Sequence, residues 1–522
     1  MSNDSSPPPQ PPQPSRANPA NPANPSSRDV VDPTAANPAG PDSANPSRSI
    51  GKDEWVAQAL DRRSERAIER IRRRLGGIPV QWRILSVTAA ALLFALVSPT
   101  DYTTRVAFTV ALYTLLATGL NVVVGWAGLL DLGYAAFFGF GAYAYALLSS
   151  DKFNLHWPTF VSVPVVIAGA AALGYVLGLP SRRLSGDYLA IVTLFFGQIF
   201  VSVANNGDRL QLTIVGNPIP KKAFNLTNGP NGLTGIDPLS IFGYRVRSIT
   251  AYYVVAVVAA AIVMLLFYRL RNARPGLAMR SMREDALAAE ILSVPVRRLR
   301  LVAFALGAAV AGLAGILFAS IQQSVFGSNF DLPFLVLLYV AAILGGLGNL
   351  GGGFVGAFVV AVLPELLRTP STGRLLVYGA LVLMIALKLR SWSRLSQFVG
   401  VLIGTGLVVR IGLVVFDTTL RARSNGLAGF TGALVPHLKD SVKFGNVAFL
   451  TLIASGLALT TVAVKWRPIG AGFVAYVGML AWENRLAEQA SITRQLLVGA
   501  TLVAIMASRP QGIFGSKRVE VL

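Results

Sequence analysis

The chain has 522 residues, of which 53% are hydrophobic and 14% are charged, and its formal net charge is +21. This much apolar surface exceeds what one water-soluble core can bury, so most of it is expected to lie in lipid. The basic residues fall in short segments between apolar runs, and no nucleic-acid-binding motif accompanies them, which argues against a nucleic acid partner. Cysteine is absent, and His156 and His437 are far apart, so the sequence indicates neither a disulfide nor a metal site.

The first eighty residues differ in composition from the rest of the chain. Residues 1–50 are rich in Pro, Asn and Ser and are predicted to be a disordered tail, because they cannot bury enough apolar surface to fold. Residues 51–80 have helical apolar spacing and seven arginines between Arg62 and Arg74. This basic helix is either solvated or rests on anionic cytoplasmic lipid, and both alternatives place the N-terminus inside.

Membrane-length apolar runs follow, and they predict an all-α, polytopic transmembrane fold. Ten core spans are expected within residues 81–390: 83–98, 104–124, 126–148, 158–180, 187–205, 251–269, 300–321, 333–347, 352–367 and 374–389. With the N-terminus inside, the basic segments 181–186, 269–300 and 388–394 all fall on the cytoplasmic face, as the positive-inside rule requires. The loop 205–248 then lies outside as an irregular, partly folded lid or docking surface.

Four further apolar runs lie beyond the core, near 396–416, 446–464, 468–482 and 494–508. The stretches RLLVYGALVLMI (374–385) and RQLLVGATLVAI (494–505) align without gaps, which indicates that residues 391–490 are an insertion between two versions of one terminal helix. Chance similarity of apolar segments is the alternative. Residues 491–522 then form a terminal helix and a basic cytoplasmic tail.

The stretch GWAGLLDLGYAAFFGFGAYAYALL, residues 125–148, places glycines and one carboxylate in a predicted span. Glycines allow close helix packing, and they permit a local break whose freed backbone groups face a polar cavity. Asp131 is too costly to face lipid, and it is either a helix-end cap or a residue of the translocation path. Asp131, Tyr134 and Gln198 are the candidate path residues.

The segment RPGLAMRSMREDALAAEILSVPVRRLR, residues 274–300, is too polar to cross a membrane. Helix-forming residues from Leu277 to Leu292 predict an amphipathic cytoplasmic helix, which either docks in a groove of another protein or is a solvated loop that sets topology. A third feature, GGLGNLGGG, has the spacing of a dinucleotide-binding motif, but apolar runs flank it on both sides. It is predicted to be a tight cytoplasmic turn between closely packed helices. The chain contains no GxxxxGK[ST] motif for binding ATP.

These blocks together resemble the permease subunits of bacterial ABC importers for branched-chain amino acids, and specifically the longer of the two paralogous permeases. The resemblance rests on the following stretches: 119–148, 182–199, TNGPNGLTGI (227–236), GLAMRSMREDALAAE (276–290), ILGGLGNLGGGFVGAFVVAVLPELLR (343–368) and RPQGIFG (509–515). It implies a second permease subunit, two ABC ATPase subunits and a periplasmic or extracellular substrate-binding protein as partners, in the bacterial inner membrane. The insertion at 391–490 departs from the family pattern.

The resemblance also implies that the 274–300 segment couples the permease to the ATPase subunits. The coupling residues expected from it are Gly276, Arg280, Glu284, Asp285, Ala288 and Ala289. No catalytic residue and no cofactor are expected, because the permease itself does no covalent chemistry. Branched-chain amino acids are the expected substrate, with urea or short amides as alternatives, and an ion-coupled secondary transporter is the rival class of protein.

Overall fold

The computed structural model describes residues 79–97, 100–182, 186–214, 217–241, 243–366, 392–415, 441–461, 466–482 and 499. All of them lie in the second of the two units into which the chain divides, Gly77–Leu522. The predicted tail 1–50, nearly all of the basic helix 51–80 and the tenth core span lie outside the described residues. The same holds for the repeat 374–385 and, apart from residue 499, for the segment 491–522.

The described residues form fourteen α-helices and three short antiparallel strand pairs. In chain order the helices are α1 (Val80–Val97), α2 (Asp101–Leu120), α3 (Tyr134–Ser149), α4 (Thr159–Gly178), α5 (Asp187–Asn206), α6 (Ile249–Asn272), α7 (Arg274–Glu284), α8 (Ala286–Ile291), α9 (Val296–Gln322), α10 (Leu332–Gly345), α11 (Leu350–Leu366), α12 (Trp392–Val415), α13 (Ser441–Thr461) and α14 (Arg467–Ala481). Seven helical stretches among the described residues are long and apolar enough to cross a membrane, and α3 and α11 are shorter apolar helices. The predicted polytopic helical fold is confirmed.

The second and third predicted spans differ from expectation in one respect. Helix α2 continues into a π-helical turn, Asn121–Trp126, and α3 begins only at Tyr134. The predicted continuous span 126–148 is therefore wrong in its first third, where residues 127–133 are not helical. Two glycines account for this break. Gly128 adopts a φ of 70°, and the backbone of Gly133 lies so close to the carbonyl of Thr193 on α5 that a Cβ there would overlap it.

The loop between α5 and α6 carries short antiparallel strand pairs. Strand β1 (Leu210–Ile214) pairs with β2 (Asn217–Phe224), and β4 (Ser240–Ile241) pairs with β5 (Tyr244–Arg245). Strand β3 (Leu233–Thr234) pairs with β6 (Ser324–Val325), which follows α9. This last pair ties the loop to the end of a central helix.

Helix α9 is the centre of the bundle, and most of its length is buried against α3 and α4. The helices approach through small residues. A Cβ on Gly141 of α3 would overlap the backbone of Gly312, and a Cβ on Gly174 of α4 would overlap the carbonyl of Phe304. Such contacts let backbones pack directly, which is how helices associate in lipid, where burial of apolar side chains gives little driving force.

Several helix ends meet at one end of the bundle. Asn121, just past α2, donates its Nδ2 to the carbonyl of Asn349 before α11, at 3.0 Å. Arg283 of α7 donates to the carbonyl of Gly125 in the π-helical turn. We call α7 and α8 together the elbow (Arg274–Ile291), and the end of the bundle where it lies the elbow end.

The three helices beyond the core pack on one another, with α14 contacting both α12 and α13. Ala448, Tyr476, Leu480 and Ala481 form the buried centre of this group. These helices match the predicted apolar runs near 396–416, 446–464 and 468–482, and the fourth run lies outside the described residues apart from residue 499.

Candidate functional site

The break between α2 and α3, residues 127–133, is a mostly buried change of backbone direction, in which Gly128 and Leu130 are exposed. Its hydrogen bonds go to other segments: the amide of Leu132 donates to Oγ1 of Thr193 at 2.9 Å, and the amide of Leu129 donates to the carbonyl of Val123 at 3.0 Å. Non-helical backbone at membrane depth is tolerated only where protein or a water-filled cavity satisfies it. Here side chains and backbone of neighbouring segments do so.

Asp131 lies in this break and is completely buried. Its Oδ1 accepts the amide of Gly133 at 2.9 Å, one residue before α3 begins. The hydroxyl of Tyr339 on α10 donates to the Asp131 carbonyl at 2.6 Å and accepts the Asp131 amide at 3.1 Å. Oδ2 of Asp131 has no hydrogen-bond partner among the described residues. One carboxyl oxygen of Asp131 therefore stabilises the start of α3, and the other accepts no hydrogen bond from the described residues.

The other two candidate path residues lie in different surroundings. Tyr134 is fully buried, and its hydroxyl donates to the carbonyl of Leu116 on α2 at 3.1 Å. Gln198 is on the exposed face of α5, although its neighbour Gly197 contacts Gly133. The structure thus brings Asp131 and Tyr134 together in the interior and places the side chain of Gln198 on the surface of this chain.

The glycine-rich turn between α10 and α11 closes over the end of the π-helical turn. Gly346 and Gly348 have φ values of 102° and 90°, which glycine adopts readily. Oδ1 of Asn121 accepts the amide of Gly348 at 2.6 Å, and a Cβ on Gly345 would overlap the carbonyl of Gly352. The predicted tight turn between closely packed helices is confirmed.

The elbow is two helices rather than the single helix predicted over residues 277–292. Helix α7 ends at Glu284, Asp285 is extended, and its Oδ1 accepts the amides of Leu287 and Ala288 at 2.9 and 3.0 Å. Asp285 is therefore the N-cap of α8, and this capping geometry ends the first helix. The signal was present in the sequence as an aspartate before a run of helix-forming residues.

The coupling residues expected from the sequence divide by exposure. Gly276 and Ala289 are buried against their own chain, and Arg280 is partly buried with its Nη2 3.4 Å from the carbonyl of Arg271. The exposed ones are Glu284, Asp285 and Ala288. Three large apolar side chains are also exposed there, Leu287, Ile291 and Leu292, with 75%, 84% and 77% of their surface accessible.

Arg283 is a further residue of the elbow, which the sequence analysis did not single out. Its guanidinium donates to the carbonyl of Gly125, and its stem packs over Gly128, where a Cβ would lie 2.8 Å from the Arg283 Cγ. One side chain thus joins the elbow to the π-helical turn and to the non-helical residues that follow it. Sequence patterns could not find it, because its partner lies 158 residues away.

The opposite end of the bundle carries the ion pairs of the loop that follows α3. Nδ1 of His156 lies 2.6 Å from Oδ2 of Asp237, and its Nε2 lies 3.3 Å from Oδ1 of Asp151. The hydrogen bond to Asp237 raises the pKa of His156 above 6.5. Within the described ranges, no three His, Asp or Glu side chains come together in a group that could hold a metal ion.

Comparison with known families identifies the class of the bundle. Residues 102–386 match the family described as branched-chain amino acid transport system / permease component. The matched range covers α2 to α11 and excludes α12, α13 and α14. No solved structure matches the chain at a significant level.

Individual relatives agree with this match. The chain is 32% identical to the high-affinity branched-chain amino acid transport system permease protein LivM of Escherichia coli (strain K12) over 306 residues, 54% of this chain and 67% of the relative. The corresponding LivM of Salmonella typhimurium is 32% identical over 297 residues, 52% of this chain and 65% of the relative. A probable permease protein LivH of Methanocaldococcus jannaschii is 27% identical over 240 residues, 44% of this chain and 71% of the relative.

Proposed function

Because the chain belongs to the family of permease components of branched-chain amino acid transport systems, we propose that it carries branched-chain amino acids across the bacterial inner membrane as one subunit of an ABC importer. It pairs with a paralogous permease, two ATPase subunits supply the energy, and an external binding protein delivers the substrate. The chain itself binds no ATP. The elbow end faces the cytoplasm, as do both termini, and the basic residues of the last turn of α6, Arg269 and Arg271, support this orientation.

The exposed apolar surface of α8 is the observation that carries this proposal. Leu287, Ile291 and Leu292 are largely accessible on a segment outside the membrane spans, beside the exposed carboxylate of Glu284. Apolar side chains that project together from a short helix are typical of a helix that docks in a partner's groove. The ATPase subunit is the partner, and Glu284 pairs with its basic groups.

The test is ATP-driven uptake by the complete complex in proteoliposomes. Leu287→Asn combined with Ile291→Asn removes two apolar anchors, each worth about 1.5–3 kcal/mol when buried. The ATPase subunits should therefore bind about 100-fold more weakly or worse, and uptake should fall in parallel. Leu155→Asn changes a leucine that is 46% exposed in the loop after α3, and it should leave both unaltered. Uptake driven by a proton or sodium gradient without ATP would contradict the proposal, as would an elbow variant that still binds the ATPase.

The translocation path is the second part of the proposal, and it includes Asp131, Tyr134 and Gln198. Gln198 and Ser202 are polar residues on an exposed face of α5 that otherwise presents apolar side chains such as Ile191 and Phe195. A polar amide in the middle of a span is costly against lipid, so a protein or water faces it. The path runs along this face, between this chain and its paralogue. Asp131 and Tyr134 position the break that borders it.

Because the chain contains no cysteine, single cysteines can report which residues face water. Gln198→Cys in the assembled complex should react with a charged, membrane-impermeant thiol reagent, and a transported amino acid should slow the reaction. Val176→Cys on α4, a residue 56% exposed in this chain, is the lipid-facing control and should stay unreactive. Equal reactivity at the two positions would remove Gln198 from the path.

A further inference from the structure

A pocket of about 300 Å³ lies at the end of the bundle opposite the elbow. It is formed where α2 begins, α9 ends and α10 begins. Arg105 in the second turn of α2, Gln322 at the end of α9 and Phe334 in the first turn of α10 all line it. From Arg105 to Leu120, helix α2 rises about 22 Å toward the elbow end at roughly 1.5 Å per residue. The pocket is therefore at the outer end of the bundle in the orientation proposed above.

The floor of the pocket is aromatic. The ring of Phe138 stacks on Phe334 with 5.1 Å between centroids, and its centroid lies 5.3 Å from that of Phe318. Tyr113 meets Phe334 edge-on at 6.0 Å, and the buried ring of Phe108 completes the aromatic lining. Rings packed in this way offer a preformed apolar surface, which favours an apolar side chain because it leaves water on binding.

The rim of the pocket carries its polar groups. Arg105 and Gln322 are exposed and Asn329 is half-buried, and all three line the pocket. Among the described residues, none of these three side chains has a hydrogen-bond or ion-pair partner, and the lining includes no Asp or Glu. A guanidinium group binds a carboxylate with two parallel hydrogen bonds. The pocket therefore favours a ligand that has a carboxylate at one end and an apolar group at the other.

An apolar α-amino acid matches these groups. Its carboxylate can bind the guanidinium of Arg105 while its side chain lies on the aromatic floor. The carboxamide oxygens of Gln322 and Asn329 are acceptors for its ammonium group, and the faces of aromatic rings attract a cation. The pocket is at the lower limit of the range of about 300–1,000 Å³ that is typical of ligand sites, which suits a small amphipathic molecule and excludes a whole phospholipid.

The pocket adjoins both the outer loop and the helix of the proposed path. Gln322 is followed by β6, which pairs with β3 of the loop between α5 and α6. On the other side, the ring centroid of Phe330 lies 5.2 Å from that of Phe138 and 6.0 Å from that of Phe200. Phe200 is on α5, two residues from Gln198. One aromatic cluster thus connects the pocket, beside the outer loop, with the helix that carries the proposed path.

We propose that this pocket is an outer binding site for the transported amino acid, with the carboxylate on Arg105 and the apolar side chain against Phe138 and Phe334. The inference rests on the proposed function, which supplies the class of substrate, and it adds the site within this chain that receives the substrate. The amino acid is held here before it enters the path along α5.

The test measures binding of radiolabelled leucine to the complete complex in lipid nanodiscs, without ATP and without the external binding protein. Arg105→Gln removes a charge-assisted hydrogen bond to the carboxylate, so leucine should bind about 10- to 150-fold more weakly, and Arg105→Lys should recover part of this loss. Arg247→Gln makes the same charge change at an exposed arginine just before α6, and it should have little effect. Thr109→Phe fills the pocket, leaves Arg105 in place and should also abolish binding.

Two analogues of leucine show which of its groups the pocket recognises. 4-Methylpentanoate keeps the carboxylate and should displace leucine, whereas 3-methylbutylamine keeps only the ammonium group and should not. Three results would overturn the inference: equal displacement by the two analogues, equal loss of binding in Arg247→Gln, or undiminished binding in both Arg105→Gln and Thr109→Phe. If wild type still takes up leucine with ATP in any of these cases, the proposed function stands and the pocket alone is excluded. Failure of wild type to take up leucine with ATP would instead contradict the proposed function itself.

Discussion

The hydrogen bond from Arg283 to Gly125 should decide how firmly the elbow is held against the bundle. Arg283→Met keeps an apolar stem over Gly128 but removes the charged donor, which leaves the Gly125 carbonyl without it. A hydrogen bond to a charged group contributes about 1.5–3 kcal/mol. At about 1.4 kcal/mol for each factor of ten, local opening of the elbow should become roughly 10- to 150-fold more frequent.

Hydrogen–deuterium exchange of the full chain in lipid nanodiscs measures this opening directly, because the protected amides of α7 exchange through it. The slow amides of residues 278–284 should exchange faster by the stated factor in Arg283→Met. Arg298→Met is the matched control, since Arg298 is an exposed arginine at the start of α9. An exchange rate in Arg283→Met within threefold of wild type, or an equal acceleration in the control, would show that the bond does not hold the elbow.

Three further outcomes are expected. Gly141→Ala should lower the free energy of unfolding by about 1–3 kcal/mol, because the new Cβ would overlap the backbone of α9. Gly404→Ala on α12 is the control, since no atom lies within 4 Å of a Cβ at that position, and it should be neutral or stabilising. Equal changes in the free energy of unfolding of the two variants, measured by steric trapping, would refute this prediction. Asp131→Ala should cost about 1–3 kcal/mol in the same assay by leaving a buried amide without its acceptor, whereas Asp131→Asn should retain the cap. Asp237 raises the pKa of His156, so the pair should stabilise the loop 150–158 fully below about pH 6.5, and this stabilisation should be lost as the pH rises through the raised pKa. Limited proteolysis should therefore cut this loop faster as the pH rises in wild type, and the cleavage rate in Asp237→Asn should not show this rise.

Much of the architecture follows from hydropathy and charge, because a helix in lipid must be apolar along its length and the basic loops must lie on one side. Each of the nine core spans predicted within the described residues overlaps a helix, although in the span 126–148 that helix begins only at Tyr134. The glycine-rich turn before α11 was also predictable, because a φ of 90°, as at Gly348, is adopted readily by glycine and rarely by other residues.

The details of the site were less accessible to sequence reasoning. The contact of Asp131 with Tyr339 joins residues 208 positions apart, and the pairing of Leu233 with Val325 joins two loops. Neither contact has a local signature, because both depend on how helices are arranged around α9. The division of the elbow into two helices did have a local signature, because Asp285 is a typical N-cap residue. The continuous helical periodicity on either side of Asp285 outweighed this capping signal.

The glycine crossings of α9 have a consequence for how the permease can move. Where backbone meets backbone without intervening side chains, helices that separate lose close contacts at once, so we expect α3, α4 and α9 to move together. Motion that opens one side of the membrane and closes the other must then be absorbed where this group of helices joins its neighbours. We expect the non-helical residues 127–133 to be the hinge nearest the elbow, because Arg283 of the elbow contacts both Gly125 and Gly128, the residue with a φ of 70°.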